Sequence, residues 1–225
     1  MKRIVAFLLA AVIFILPLGA VDLYGELADA SPSLMPASIG GDWTVVALAR
    51  ADKLEKSLAD TYYVNAVEYV TALDGVLHQS RYTEYSRMIL ALGAIGRDPR
   101  DVGGYDLVKP LGDFDAVIKQ GMNGAAWALI ALDSNGYQIS YPTGVKTRTT
   151  RDKLIEHILG YQQADGSFDG LDGSEVEYTA MALLALANYS DRDDVSDAID
   201  RGVEYLSGAQ GKSGGFPSRW GESSE

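Results

Sequence analysis

The chain has 225 residues, of which 47% are hydrophobic, so it can bury the core of one or two domains. Its 31 Asp and Glu outnumber its 19 Lys and Arg, and the formal net charge of −12 disfavours binding to nucleic acid or to anionic lipid headgroups. Because the chain contains no Cys, the sequence excludes disulfides, thiolate zinc sites and cysteine nucleophiles.

The N-terminal segment has the pattern of a secretory signal peptide. Two cations precede an apolar run over residues 4–18, and small residues follow, so cleavage is expected after Ala20 or after Ala30. An uncleaved membrane anchor is the alternative, but the run is shorter than the span of about 20 residues that a bilayer requires and contains Pro17. We therefore expect residues 1–30 to be a signal peptide with a short leader, and the protein to be secreted or held at the cell surface.

Helical segments of two kinds alternate along residues 31–225. Apolar segments, which suit buried helices, lie at 44–49, 86–95, 124–132 and 180–189. Amphipathic segments, the last three beginning near Asp or Thr residues that can cap a helix, lie at 54–76, 113–120, 149–161 and 195–207. Period-two alternation is confined to 137–141, so strand evidence is weak. The chain is predicted to be all-α, with helical hairpins stacked so that buried helices form an inner ring and amphipathic helices an outer ring.

One motif occurs twice near the C-terminal end. A basic residue is followed four and five positions later by a ring and an aliphatic residue, then by Gln, Gly and an aromatic residue, and the pattern recurs 48 positions later. Three residues are identical in the two copies: Gln162, Gly166 and Phe168 in the first, and Gln210, Gly214 and Phe216 in the second.

The motif predicts a corner that clamps one helix to the next. Each Gln falls at or just beyond a predicted helix end, where its amide is expected to bond free carbonyls of its own helix and free N–H groups at the start of the next helix. The Gly permits positive φ, and the aromatic ring is expected to stack inward. These residues are therefore assigned a structural role and no chemistry.

The two corners resemble the QW motif of the prenyltransferase and squalene-oxidase repeat, found in terpene cyclases that fold as α/α toroids. Strings such as YSRMILALGAIGRDP, VGGYDL and YTAMALLALANY look like a bacterial secreted branch of terpene cyclase-like surface proteins, which is also similar to transcobalamin-type carriers of vitamin B12. The resemblance implies an α/α toroid over 31–225. Since such a ring needs more than the roughly eight helices predicted here, the toroid is expected to be truncated at its C-terminal end; a partial toroid completed by a partner is the alternative.

The D-x-D-D string at residues 191–194 is the sharpest catalytic candidate, because class II terpene cyclases protonate their substrate with an Asp in such a string. The acid needs burial to hold its proton, whereas this string directly precedes an amphipathic helix, where a solvated N-cap is expected. We therefore expect no catalytic residue here.

Metal chemistry is also disfavoured. The Cys, His and Asp set of zinc-dependent prenyltransferases cannot be assembled without Cys, and neither His78, which has no evident partner, nor His157, a packed ring of the first corner, is expected to carry a site. Residues 165–170 match the first half of an EF-hand loop, but its twelfth position is Val176 rather than Glu. No metal site is predicted.

Candidate binding residues lie near the N-terminal ends of the predicted inner helices. Rings and an amide there are expected to line a concave mouth: Trp43, Tyr85, Asn123 and Tyr178. Core packing is the alternative for each ring, and the better one for Trp127, which lies among Ala and Leu. The family resemblance implies that Glu175 and Glu177 also point toward the mouth.

Together these patterns lead us to expect a secreted or cell-surface module that binds an extracellular ligand or partner, without catalysis, cofactor or nucleic-acid partner, and without a transmembrane segment after signal cleavage. Two alternatives stay open. One is a terpene cyclase-like enzyme acting on an isoprenoid, and the other is a carrier of a corrinoid of the vitamin B12 type.

Overall fold

The computed structural model describes residues 39–170, 174–212 and 214–216, and the predicted signal peptide lies outside these ranges. The described chain is helical, and its only β-type pairings are isolated bridges, so the prediction of an all-α fold is confirmed. The helices are α1 (Ile39–Arg50), α2 (Lys56–Ala72), α3 (Thr83–Ala94), α4 (Phe114–Val117), α5 (Gly121–Asp133), α6 (Arg151–Leu159), α7 (Glu175–Leu186) and α8 (Asp193–Ala209). None of the helices in this part of the chain is both long and apolar enough to cross a bilayer.

Four of these helices form a row. Helix α1 packs on α3, α3 on α5, and α5 on α7. Their Ala- and Leu-rich faces are fully buried, as at Leu48, Leu92, Leu129 and Leu186. The row contains the four segments predicted to be buried helices. That prediction is confirmed for α3 and α5, whereas α1 and α7 bury one face, and Leu184 on α7 is 54% exposed.

The remaining long helices bury one face only. Helix α2 buries Tyr62, Ala66 and Val70, which lie four residues apart on one side of the helix. Helix α6 packs on α5, and α8 packs on α7. Caps start two helices as predicted, because Asp113 accepts a hydrogen bond from the amide of Ala116 and Thr150 caps α6 in the same way.

The predicted amphipathic segment 113–120 is not one helix. It consists of the single turn α4 followed by a 3₁₀ turn, Ile118–Gln120. The start of α5 packs backbone to backbone on this segment, and a Cβ at Gly124 would lie 2.1 Å from the carbonyl oxygen of Val117. This close approach fixes the path of the segment.

The first predicted corner holds α8 against the end of α6. The amide Nε2 of Gln162 donates to the carbonyls of Gly166 (3.1 Å) and Ala198 (2.8 Å), and its oxygen accepts from the guanidinium of Arg201. Phe168 is fully buried, and its backbone amide donates to the hydroxyl of Thr179 on α7 at 2.9 Å. The partners predicted for the side-chain amide of Gln162 were wrong. The observed partners lie in the corner itself and in α8, because Gln162 is already past the last turn of α6.

The second corner repeats the local geometry of the first. The amide of Gln210 donates to the carbonyl of Gly214 at 2.8 Å, and Gly214 has a φ of 86°, close to the 91° of Gly166. Phe216, predicted to stack inward, is instead 40% exposed. Phe168 belongs to the hydrophobic core, whereas the residues that follow Phe216 lie outside the described ranges.

Candidate functional site

A cavity of about 360 Å³ lies between the N-terminal halves of α1, α3 and α5. Trp43 on α1 and Trp127 on α5 line it, with ring centroids 4.8 Å apart and planes tilted by 51°. Both indoles are half-buried. The sequence favoured a core position for Trp127, but the structure gives this ring a core contact and a cavity face together.

Polar side chains also line this cavity, and the lining residues on α3 and on α5 lie one helical turn apart. Thr83 and Arg87 line it from α3, and Asn123 lies one turn before Trp127 on α5. Residues four positions apart share a helix face, so each helix presents two neighbouring groups to the same space.

A buried ion-pair network fixes the guanidinium of Arg87. Its Nε lies 2.7 Å from Oδ2 of the fully buried Asp42, and its Nη2 lies 2.5 Å from Oε2 of Glu84. Burial alone would lower the pKa of Arg87, but the hydrogen bonds and charges of the two carboxylates outweigh it and raise that pKa. The guanidinium therefore stays charged at the cavity wall.

Tyr62 on α2 completes the network behind Asp42. Its hydroxyl donates to Oδ1 of Asp42 at 2.8 Å, and both side chains are fully buried. Burial, followed by the negative charge of Asp42, raises the pKa of Tyr62, so the hydroxyl keeps its proton. The cavity wall is thereby tied to three helices.

A second cavity of about 400 Å³ adjoins the first and shares Asn123 with it. It lies between the start of α5, the first corner and the start of α7. Its lining includes aromatic, amide and charged side chains: Lys119, Gln120, Asn123, Tyr161, Asp169 and Tyr178. At the junction, Gly121 has a φ of 60°, and a Cβ there would lie 3.1 Å from the hydroxyl oxygen of Tyr161. Both the backbone conformation and the space therefore favour glycine.

Gln120 and Thr83 hold the two cavities side by side. The amide of Thr83 donates to Oε1 of Gln120, and Nε2 of Gln120 donates to the hydroxyl of Thr83, both at 3.1 Å. This pair joins the start of α3 to the start of α5. We call the two adjoining cavities the groove, defined by Trp43, Arg87, Asn123, Trp127, Tyr161 and Tyr178.

Three of the predicted binding residues, Trp43, Asn123 and Tyr178, line the groove together. Tyr85 does not, since it is only 3% exposed and its hydroxyl accepts a hydrogen bond from the amide of Leu77 at 3.0 Å. The structure places this ring in the core, where it supports the loop before α3.

The two predicted glutamates lie in the first turn of α7. Glu175 is half-buried, Glu177 is exposed, and neither lines the two cavities of the groove. Burial, and then the negative charges of Glu175, Asp165 and Glu177, raise the pKa of Tyr205 on α8. The family resemblance implied that these two carboxylates point toward the mouth of the toroid. They do not line the groove.

Sequence reasoning did not select Arg87, Thr83, Gln120 or Tyr161. A signal for Arg87 was available, because it is a cation inside a predicted buried helix and Asp42 is a carboxylate directly before another. Buried charges are paired, so the two residues could have been predicted to meet. Nothing in the sequence pattern distinguishes the other three.

The D-x-D-D string lies on the surface at the start of α8, as expected, but the N-cap residue is Arg192, and its side chain makes no capping hydrogen bond. Asp193 and Asp194 are exposed at the start of α8, and Asp194 lies 2.8 Å from the guanidinium of Arg192. This hydrogen bond lowers the pKa of Asp194, the opposite of what a protonating acid requires.

The residues considered as metal ligands take part in local turns. The carboxylate of Asp165 accepts hydrogen bonds from the amide and hydroxyl of Ser167, which lower its pKa. The ring Nδ1 of His78, for which no partner was predicted, accepts from the amides of Ser80 and Arg81. His157 packs edge-on between Phe114 and Tyr161. Over the described ranges, His, Asp and Glu form no cluster of three or more that could hold a metal ion.

Comparison with known proteins gives no assignment: no family model, no curated protein and no solved structure matches the chain.

Proposed function

We propose that the chain is a secreted or cell-surface binding module of the α/α-toroid type, without catalytic activity, whose ligand occupies the groove. The row of apolar helices, the amphipathic helices packed beside it and the two Gln–Gly corners support the toroid and its resemblance to the prenyltransferase and squalene-oxidase repeat. The predicted signal peptide supports export.

The observation that carries the proposal is the pair of half-buried indoles beside a fixed guanidinium. Trp43 and Trp127 keep part of their apolar surface on a cavity, which is unfavourable in water and becomes favourable when a ligand covers it. Asp42 and Glu84 hold Arg87 in place before any ligand arrives. A preorganised polar group costs little entropy on binding.

The same groove supports binding better than the two alternatives. Protonation of an isoprenoid needs a buried acid, whereas the carboxylate that lines the groove, Asp169, is exposed. Each cavity is near the lower end of the about 300–1,000 Å³ range of ligand sites, which suits small rings better than a corrinoid macrocycle.

A thermal-shift screen tests the proposal. The purified protein is screened against soluble saccharides, peptides, isoprenoids and corrinoids, in parallel with Asn123→Ala, which alters both cavities of the groove. The matched control is Gln138→Ala, which alters a separate cavity at the other ends of α3 and α5. We expect a compound that raises the Tm of the parent and of the control, and raises that of Asn123→Ala less.

Three results, from the screen and from two further assays of the purified protein, would contradict the proposal. A cyclised product formed from a polyprenyl substrate would make the protein an enzyme, and a red corrinoid retained on gel filtration would make it a carrier. If no compound shifts the Tm in a manner that depends on Asn123, the groove is not a binding site. Export is tested separately by N-terminal sequencing of the exported protein. We expect cleavage after Ala20 or Ala30.

A further inference from the structure

The two cavities of the groove share Asn123, and aromatic rings line each of them. The paired indoles lie in the first cavity, and the half-buried Tyr161 and Tyr178 lie in the second. Asn123 belongs to both, so a ligand that filled the groove would pass this side chain. Such a ligand needs apolar faces at two separate positions along its length.

Besides the rings, the groove contains side-chain amide and hydroxyl groups, which can both donate and accept hydrogen bonds. Asn123 carries a carbonyl and an amino group, and the Gln120–Thr83 pair retains lone pairs on its oxygens. These groups match a ligand rich in hydroxyls, which are also donors and acceptors.

The charges at the groove nearly balance, although the chain as a whole carries −12. The lining residues and the ion-pair partners of Arg87 comprise two cations and three carboxylates: Arg87, Lys119, Asp42, Glu84 and Asp169. Arg87 is already paired with two carboxylates. A strongly anionic or cationic ligand therefore finds little excess charge of the opposite sign.

From this combination we infer that the groove binds a neutral oligosaccharide, with sugar rings stacked on the indoles and on the tyrosines and hydroxyls bonded at Asn123. The inference rests on the proposed function and names its ligand class. Sugar rings have an apolar face and hydroxyl edges, which fits the alternation of rings and polar groups. Strand addition, one way in which extended peptides are bound, needs a sheet edge, and the described residues contain no sheet.

Fluorescence titration tests the inference directly, because two of the three tryptophans of the chain line the groove. In a Trp220→Phe background the remaining emission comes from Trp43 and Trp127 alone. Neutral hexasaccharides of glucose, mannose, xylose and N-acetylglucosamine are titrated, with the matching disaccharides alongside. We expect at least one hexasaccharide to change the emission saturably with a Kd below about 1 mM, and to bind about tenfold more tightly than its disaccharide because it reaches both cavities.

The variants decide whether the groove is responsible. Asn123→Ala should weaken the hexasaccharide about tenfold, whereas Gln138→Ala should leave its Kd unchanged. Circular dichroism and thermal melting establish that both variants are folded. Binding that is unaffected by Asn123→Ala, or no binding to any hexasaccharide, overturns the inference. If peptides or lipids instead give Asn123-dependent thermal shifts, the proposed function stands and its oligosaccharide ligand is wrong.

Discussion

Gly166 and Gly214 occupy the same position in the two corners, but the structure requires glycine there to different degrees. Both have φ near 90°, a conformation that L side chains rarely adopt. A Cβ at Gly166 would also lie 2.5 Å from the carbonyl oxygen of Arg201, whereas a Cβ at Gly214 meets nothing within 4 Å. Only the first glycine is required by packing as well as by conformation.

Substitution of these glycines by alanine should reveal that difference. Gly214→Ala should cost about 1–2 kcal/mol of the free energy of unfolding, the price of the left-handed conformation. Gly166→Ala should cost about 1–3 kcal/mol more, because α8 must move to admit the methyl group. Urea-induced unfolding measures both values, and equal losses would show that α8 is not pressed against the corner.

Arg87 is the charged residue whose loss the fold should tolerate least. Arg87→Met leaves Asp42 buried without its cation, and removal of one partner of a buried pair costs about 3–5 kcal/mol. The control is Arg100→Met, which removes an exposed pair with Asp98 and should change stability little. If the two variants unfold at the same denaturant concentration, the buried network contributes nothing.

His157 should make stability depend on pH. Burial lowers the pKa of its imidazole, only partly offset by a hydrogen bond to the backbone of Gly121, so the unfolded chain binds this proton more readily than the folded one. The stability it contributes is therefore complete above the ordinary pKa of about 6.5 and is lost as pH falls toward its lowered value.

The variant His157→Phe tests this dependence while keeping a ring between Phe114 and Tyr161. Its Tm should fall less than that of the parent between about pH 7 and pH 5, since phenylalanine cannot bind a proton. Identical slopes of Tm against pH would mean that the imidazole is not desolvated.

At the scale of elements, Gln162 is the link between α6 and α8. One side chain bonds the corner, the carbonyl of Ala198 and the guanidinium of Arg201. Its counterpart Gln210 bonds the corner only. The same motif thus locks a following helix in one copy and shapes a turn in the other.

Gln162→Ala should therefore loosen α8 selectively. The loss of these hydrogen bonds should cost about 1–3 kcal/mol, and the amides of α8 should exchange with deuterium faster while those of α3 and α5 keep their protection. Gln210→Ala should leave α8 protected except at its last turn. Equal loss of protection across all helices in Gln162→Ala would indicate global destabilisation instead.

The helices themselves were largely predictable, and the exceptions have tertiary causes. Apolar periodicity located the four helices of the row, and capping residues located the starts of α4 and α6. The break in 113–120 was not predictable, because it depends on how closely Gly124 approaches Val117. The exposure of the Phe216 ring was not predictable either. A sequence motif specifies the turn, but burial of the ring depends on which other part of the chain packs on it.

At the scale of the whole molecule, the excess of acidic residues should oppose folding through mutual repulsion. Raising the salt concentration from about 0.01 M to 0.1 M shortens the screening length from about 30 Å to about 10 Å. The Tm should rise over this range, because repulsion across the surface of a chain with a net charge of −12 is screened. Sodium and potassium chloride should act alike, and a Tm that falls with both salts would show that attractive surface pairs dominate.

The amino-acid sequence alone determined the all-α class, the positions of the apolar helices and the turns of the two corners, because each follows from a local pattern of residues. Only the tertiary structure decided the groove. Trp43, Arg87, Asn123 and Tyr178 belong to four different helices, and they line one site because the N-terminal ends of those helices come together in the row. Periodicity reports which face of a helix is buried, but the faces that meet are chosen by long-range packing.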